Sequence, residues 1–245
     1  SNRIFNPGTG GSSSTDGYQI NGGNPSPITA VDKFPFATDT NATATNTHVA
    51  VDGAAFSSSE YATYQVAGVN PWPGGFTTRV SKYEFAADTS NTNVGDAATI
   101  LFHSFACSSD TNLYAYGGRD PAYITAIEKF PFTVEGTMTD VGDLTVARSG
   151  GAGIQGQNST THGYGAGGST PTVTNVIDKF PFATDGNATD VGDMTVSGLK
   201  RQGASSTTSG YGAGGQTPGA TNVIDKFPFA TDANATDVGD LIYSM

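Results

Sequence analysis

The sequence predicts an all-β protein, a five-bladed β-propeller with four antiparallel strands in each blade, and two repeated landmarks carry that prediction. The first landmark, IDKFPFATDGNATDVGD at residues 177–193, returns at 224–240 with one change, Ala233 in place of Gly186. With three weaker copies, its starts fall at 31, 80, 127, 177 and 224, so the spacings are 49, 47, 50 and 47 residues. A fixed period of this length indicates a solenoid, a propeller or an array.

The second landmark is an aromatic residue followed shortly by a glycine pair, and it precedes the first landmark in every unit. Its last glycine is Gly23, Gly68 (in a degraded copy), Gly118, Gly168 or Gly215. Each unit contains four short segments of strand-forming residues separated by turn residues, which predicts four strands, near 10–16, 18–22, 29–36 and 45–51 in the first unit. The five units account for the whole chain, so we expect one domain over 1–245 whose fifth blade closes on the first.

The fourth unit serves as the template for the individual strands. Its first strand is a run of small residues, which suits the crowded axis of a propeller. The glycine pair predicts positive φ or a close backbone approach. Alternation in NVIDKFPF puts Phe180 and Phe182 on one face, against the adjacent blade, and predicts the same burial for Phe34, Phe36, Phe130, Phe132, Phe227 and Phe229. Pro181 lacks an N–H, so it belongs at a strand end or in a bulge.

Charge and composition exclude several functions. The chain has 22 acidic and 11 basic residues, a net charge of −11, and five of its six lysines are spread one to a unit. No basic cluster could neutralise a run of phosphates, so we expect neither nucleic-acid binding nor attachment to an anionic membrane. No apolar run reaches the ~20 residues that span a bilayer. Cys107 is the only cysteine, so no disulfide forms within the chain.

The turn that follows KFPF leaves two interpretations open. Asp185, Asn187, Asp190 and Asp193 bring four oxygen-bearing side chains into nine residues, as a calcium loop would. Asp, Asn and Gly are also the ordinary residues of turns, and the EF-hand spacing is absent. We therefore expect turn chemistry and no cofactor, with calcium as the alternative.

The loops between the second and third strands of units two and three are the candidate binding site. These loops carry large side chains where units four and five have small ones: Trp72, Phe76, Arg119, Asp120 and Tyr123. Loops on a rigid scaffold concentrate binding residues, and Trp, Tyr and Arg are the common hot-spot types. Trp72 and Tyr123 also suit stacking on a sugar. The alternative is that Trp72 packs inside its own proline-rich loop.

An enzyme is not expected. His48, His103 and His162 lie in different units, and no metalloprotease motif or nucleophile elbow is present. The residues therefore give no catalytic constellation.

The order of parts resembles the kelch repeat of β-propellers. The resemblance rests on Tyr116-Gly117-Gly118, Ile127-Glu128-Lys129-Phe130, Asp143-Leu144 and Arg148, and it extends over essentially all of the chain. Kelch-like propellers include copper–radical oxidases, but their chemistry needs a Cys-linked Tyr and two histidine ligands. One cysteine and three dispersed histidines do not supply that set.

The repeated sequence DKFPFATD…ATDVGDLT…GY…GG is also similar to repeats in structural proteins of marine bacteriophages, particularly cyanophages. This resemblance implies a virion-associated binding or structural propeller: a capsid or tail decoration whose partners are other virion proteins and a host-surface glycan or receptor. Two alternatives remain open. One is a secreted, lectin-like carbohydrate-binding module of a marine bacterium, and the other is a passive scaffold.

Overall fold

The computed structural model describes residues 9–20, 29–47, 55–70, 75–88, 92–150, 156–217 and 219–244. Strands, turns and loops make up this part of the chain, and it contains no helix that could cross a membrane. Five sheets follow one another in sequence order and form a five-bladed β-propeller, as the repeat predicts.

Each blade contains four strands, and each strand pairs antiparallel with the next. Blade 1 comprises β1 (Thr9–Ser12), β2 (Asp16–Ile20), β3 (Ala30–Pro35) and β4 (Thr43–Thr47). Blade 2 comprises β5 (Ala55–Ser58), β6 (Ala62–Asn70), β7 (Gly75–Glu84) and β8 (Thr92–Asp96). Blade 3 comprises β9 (Phe105–Ser108), β10 (Asn112–Tyr116), β13 (Ala126–Pro131) and β15 (Thr139–Asp143). Blade 4 comprises β16 (Gln157–Asn158), β17 (His162–Ser169), β18 (Val173–Pro181) and β19 (Thr189–Asp193). Blade 5 comprises β20 (Gln202–Ser205), β21 (Ser209–Ala213), β24 (Val223–Pro228) and β25 (Thr236–Asp240).

Additional short strands are attached to blades 2, 3 and 5. Blade 3 carries a hairpin of β11 (Arg119–Asp120) and β12 (Ala122–Tyr123), and blade 5 carries the matching hairpin of β22 (Gln216–Thr217) and β23 (Gly219–Ala220). A further strand, β14 (Gly136–Thr137), belongs to the turn of blade 3 but pairs in parallel with β8 of blade 2. The turn of one blade thereby extends the sheet of the blade before it.

Each of the four strands predicted for the first unit overlaps an observed strand, but the first ends at Ser12 and not at residue 16, because Asp16 already begins the second strand. Residues 21–22 and 48–51 of these predictions lie outside the described part of the chain. The proline prediction is confirmed, because Pro181 is the last residue of β18. The glycine prediction is confirmed as well. Gly167 and Gly168 have φ of 68° and 118°, and the register of β17 against β18 shifts at this point.

A tyrosine on the second strand of each of blades 1 to 4 packs against the third strand of the following blade. Tyr164 of blade 4, for example, lies 5.4 Å from Phe227 and 4.9 Å from Phe229 of blade 5, measured between ring centroids. Equivalent contacts join Tyr18 to Tyr83 and Phe85, Tyr64 to Phe130 and Phe132, and Tyr114 to Phe180 and Phe182. In the part of the chain that the structure describes, these contacts build one hydrophobic cluster at each junction from blade 1–2 to blade 4–5.

A buried carboxylate anchors the loop that connects one blade to the next. Asp178 of blade 4 accepts hydrogen bonds from the backbone N–H and hydroxyl of Thr145, at 3.0 and 2.5 Å, and pairs with Arg148 at 2.7 Å. Burial lowers the pKa of the Arg148 guanidinium, and the Asp178 charge opposes that effect. Asp225 repeats the arrangement with Thr195 and Arg201. The resemblance to kelch repeats pointed to Arg148, and the structure gives it this partner.

At the outer edge, the turn of one blade caps the last strand of the blade before it. Asn187 accepts a hydrogen bond from the N–H of Asp143 at 3.0 Å, and Asn234 accepts one from Asp193 at 3.1 Å. Lys129 pairs with Asp185 at 2.5 Å, and Lys179 pairs with Asp232 at 2.7 Å. Lys82 pairs with Glu135 in the same way, at 3.7 Å.

Blade 1 departs from the prediction that the repeated phenylalanines lie between blades. Phe130, Phe180 and Phe227 are each 1% exposed, whereas Phe34 is 40% and Phe36 is 55% exposed. The prediction is wrong for this pair because no ring of blade 5 covers them within the described residues. Among the residues that the structure describes, the ring contacts that join the other blades do not recur between blades 5 and 1.

Candidate functional site

The loops between second and third strands, together with the connections between blades, lie on one side of the propeller, here called the loop face. Phe76 stands there at the start of β7 and is 54% exposed. Its ring centroid is 5.2 Å from that of Phe102, which stacks on His103 at 3.8 Å. A residue of blade 2 thus contacts the connection that leads into blade 3.

Arg119 and Tyr123 continue this surface across blade 3. The N–H of Arg119 donates to the carbonyl of Phe102 at 2.9 Å, and its guanidinium lies 5.3 Å from the Tyr123 ring centroid, a cation–π distance. The Tyr123 hydroxyl is 3.1 Å from the Ser169 hydroxyl of blade 4. Phe76, Phe102, Arg119 and Tyr123 therefore form a continuous surface over two blades that reaches a third; we call it the aromatic–arginine strip.

The structure brings together three of the five residues predicted for this site. Asp120 lies on β11, opposite Ala122, beside Arg119. Trp72 is outside the described residues, so its part in the site stays a prediction. Phe102 was missed, because it lies in an inter-blade connection and not in one of the proline-bearing loops.

A groove of about 440 Å³ lies on the opposite side, here called the turn face, between blades 2 and 3. Tyr61, 74% exposed, lines it with the acidic residues Glu60, Glu84 and Asp110. Lys82 is held at one wall by Glu84, at 2.6 Å, and this contact raises the pKa of the Lys82 ammonium. The groove therefore combines an exposed aromatic ring with several carboxylate acceptors.

A second groove, of about 380 Å³, lies between blades 1 and 2 and shares Glu60 and Tyr61 with the first. Tyr61 thus stands between two grooves. The sequence carried a signal for it, because unit two has Glu60-Tyr61 where unit four has Thr160-Thr161. The prediction missed that signal by weighing only the loops on the other face.

Three of the four calcium candidates have separate protein partners for their side chains. Asp185 pairs with Lys129, Asn187 accepts from Asp143, and Asp190 accepts from the N–H of Gly192 at 3.1 Å. The N–H of Asp193 donates to Asn234. No group of three or more His, Cys, Asp or Glu side chains that could hold a metal occurs within the ranges that the structure describes.

The described histidines and the cysteine lie in different environments. His103 lies on the loop face, against Phe102, whereas the His162 ring contacts Thr161 at 2.8 Å in a turn at the other end of its blade. Cys107 is buried, which raises the pKa of its thiol to about 12. His48 lies outside the described residues.

The fold places this chain in the class of β-propellers, and its two faces are compatible with binding or scaffold roles. No protein-family model matches the sequence, and no curated protein matches it significantly.

Proposed function

We propose that this protein is a non-enzymatic binding propeller of a virion and that its aromatic–arginine strip docks a neighbouring virion protein. The observation that carries the proposal is the continuity of the strip from Phe76 through Phe102 to Arg119 and Tyr123. Aromatic and arginine side chains dominate the energetics of protein–protein interfaces. The similarity of the repeat to those of marine bacteriophage structural proteins supports the virion assignment.

A role without catalysis is supported by the placement of the reactive side chains. The thiol of Cys107 is protonated at neutral pH, because its pKa is about 12, so it is a poor nucleophile. His103 and His162 are at opposite ends of their blades and do not converge on one substrate.

Glycan binding is a second candidate, and the groove between blades 2 and 3 favours it. Its volume of about 440 Å³ suits a small ligand. The exposed ring of Tyr61 offers a stacking surface for a sugar, and the carboxylates of Glu60, Glu84 and Asp110 offer acceptors for hydroxyl groups.

Two matched variants test these functions. Arg119→Ala should weaken binding of the purified protein to particles assembled without it by about tenfold or more, as expected for a hot-spot residue. Tyr61→Ala, on the other face, should leave that binding unchanged but remove any signal on a glycan array. Both should keep the wild-type melting temperature, because exposed residues add little stability. Unchanged particle binding by Arg119→Ala would contradict the docking proposal.

A further inference from the structure

The two ends of the blade series expose complementary surfaces. Blade 5 presents what we call the tail face: Tyr211, Lys226 and the outer strand β25. Blade 1 presents the head face: Phe34, Phe36, Asp39 and Asn41. At the other junctions, residues at these same repeat positions contact each other.

The tail face lacks the cover that a following blade provides elsewhere. A side chain at Gly142 or Gly192 would collide with the next blade's turn, at Gly186 or Ala233, whereas Gly239 has no such atom within 4 Å. Tyr164 of blade 4 is 1% exposed and stacks on blade 5, but Tyr211 has no aromatic partner among the described residues. Three apolar side chains at this end are at least half exposed: Val238 (51%), Ile242 (92%) and Tyr243 (80%).

The head face lacks the cover that a preceding blade provides elsewhere. Phe36 is 55% exposed, whereas its counterparts Phe132, Phe182 and Phe229 pack against the tyrosine of the blade before. Asp39 and Asn41 are exposed and, in the part of the chain described, neither side chain pairs with another blade.

Blades 1 and 5 contain residues equivalent to those that form the junctions between the other blades. Asp39 follows Lys33 by six positions, as Asp185 follows Lys179, so Asp39 and Asp185 are equivalent in the repeat. Asp185 pairs with the lysine of the blade before it, Lys129, and the equivalent lysine for Asp39 is Lys226 of blade 5. Asn41 occupies the position of Asn187 and Asn234, which cap Asp143 and Asp193, and so corresponds to a cap for Asp240. Phe34 and Phe36 correspond to the rings that receive the tyrosine.

We propose that the tail face of one copy of this protein binds the head face of a second copy, in the geometry of the junctions between blades. Within the described residues, Phe34, Phe36 and the outer strand β25 are exposed to solvent, so a second copy can supply the cover that each face lacks. The contact is heterologous, because the two faces differ, and it therefore joins copies head to tail.

Zero-length carbodiimide cross-linking of an equimolar, fully exchanged mixture of isotopically light and heavy protein tests this directly. Lys129–Asp185 and Lys179–Asp232 are internal standards, and both should couple within one chain. Lys226 should couple to Asp39, with half of the products joining light to heavy chains. A Lys226–Asp39 product found only within single chains would show that the ring closes on itself and would overturn the proposal. So would its absence while both standards form.

Sedimentation of matched variants provides a second measurement. Phe36→Ser should weaken self-association by about tenfold or more, because it removes an aromatic ring from the interface. Val134→Ser is the control, since Val134 is 65% exposed but belongs to blade 3, which contributes to neither face. Equal effects of the two variants, or a wild-type protein that stays monomeric at every concentration, would contradict the head-to-tail contact.

Discussion

Asp178 is a fully buried carboxylate whose charge is balanced by Arg148, which is also fully buried. Removing one partner of such a pair leaves the other charge without compensation in a medium that solvates it poorly. We therefore expect Asp178→Asn to lower the free energy of unfolding by about 3–5 kcal/mol in urea denaturation.

The exposed pair of Lys179 and Asp232 provides the matched control. Its atoms are as close, at 2.7 Å, but the Asp232 side chain is 58% exposed. Solvent screens such a pair, so Asp232→Asn should change stability by at most about 1 kcal/mol. A loss for Asp178→Asn no larger than that for Asp232→Asn would show that the buried pair does not anchor the connection between blades.

The strand that contains KFPF is packed differently in blade 1 and in blade 4. Phe180 is 1% exposed between blades 3 and 4, whereas Phe34, at the same position of the repeat, is 40% exposed at the head face. Phe180→Ala should lower the free energy of unfolding by about 3–5 kcal/mol, a typical large-to-small core penalty. Phe34→Ala should cost about 1 kcal/mol or less at a protein concentration where the chain is monomeric. Comparable losses would contradict the difference in packing.

Much of this element was predictable from sequence, and the reason is local. The alternation of Phe180 and Phe182 and the terminal position of Pro181 follow from strand geometry within a few residues. The exposure of Phe34 has a non-local cause, since it depends on whether another blade lies beside it. The pairing of Arg148 with Asp178 also joins two repeats, so neither residue's own unit reveals it.

At the scale of the whole molecule, the site was only partly predictable for a related reason. Departures from the repeat pointed to Phe76, Arg119 and Tyr123. The structure links them through Phe102, whose ring lies against Phe76 and whose carbonyl accepts from the N–H of Arg119. Tyr61 departs from the repeat equally clearly. That its side chain lines a groove follows only from the meeting of three blades, which no single unit encodes.

The equivalence of junctions predicts that a blade can be removed in register. Deleting residues 178–224 removes 47 residues, the interval between the starts at 177 and 224. The hybrid blade keeps Tyr164 opposite a KFPF lysine, because Tyr164 pairs with Lys179 and Tyr211 with Lys226 in the same register. We expect this variant to fold cooperatively, as judged by circular dichroism and a single thermal transition.

Deleting residues 178–217 is the control, because it removes 40 residues and breaks the phase of the repeat. This variant should lose the cooperative transition. Cooperative unfolding of both deletions, or of neither, would show that the junctions are not interchangeable.

Interchangeable junctions also have a genetic consequence. Units four and five are nearly identical over 177–193 and 224–240, so loss or duplication of one unit in register preserves the repeat. Each such event adds or removes a complete blade. The residues at the new junction are then equivalent to those at the junctions that already exist. The number of blades can therefore change in one mutational step that keeps the contacts of a blade junction at the new boundary, while Arg119 and Tyr61 take no part in that boundary.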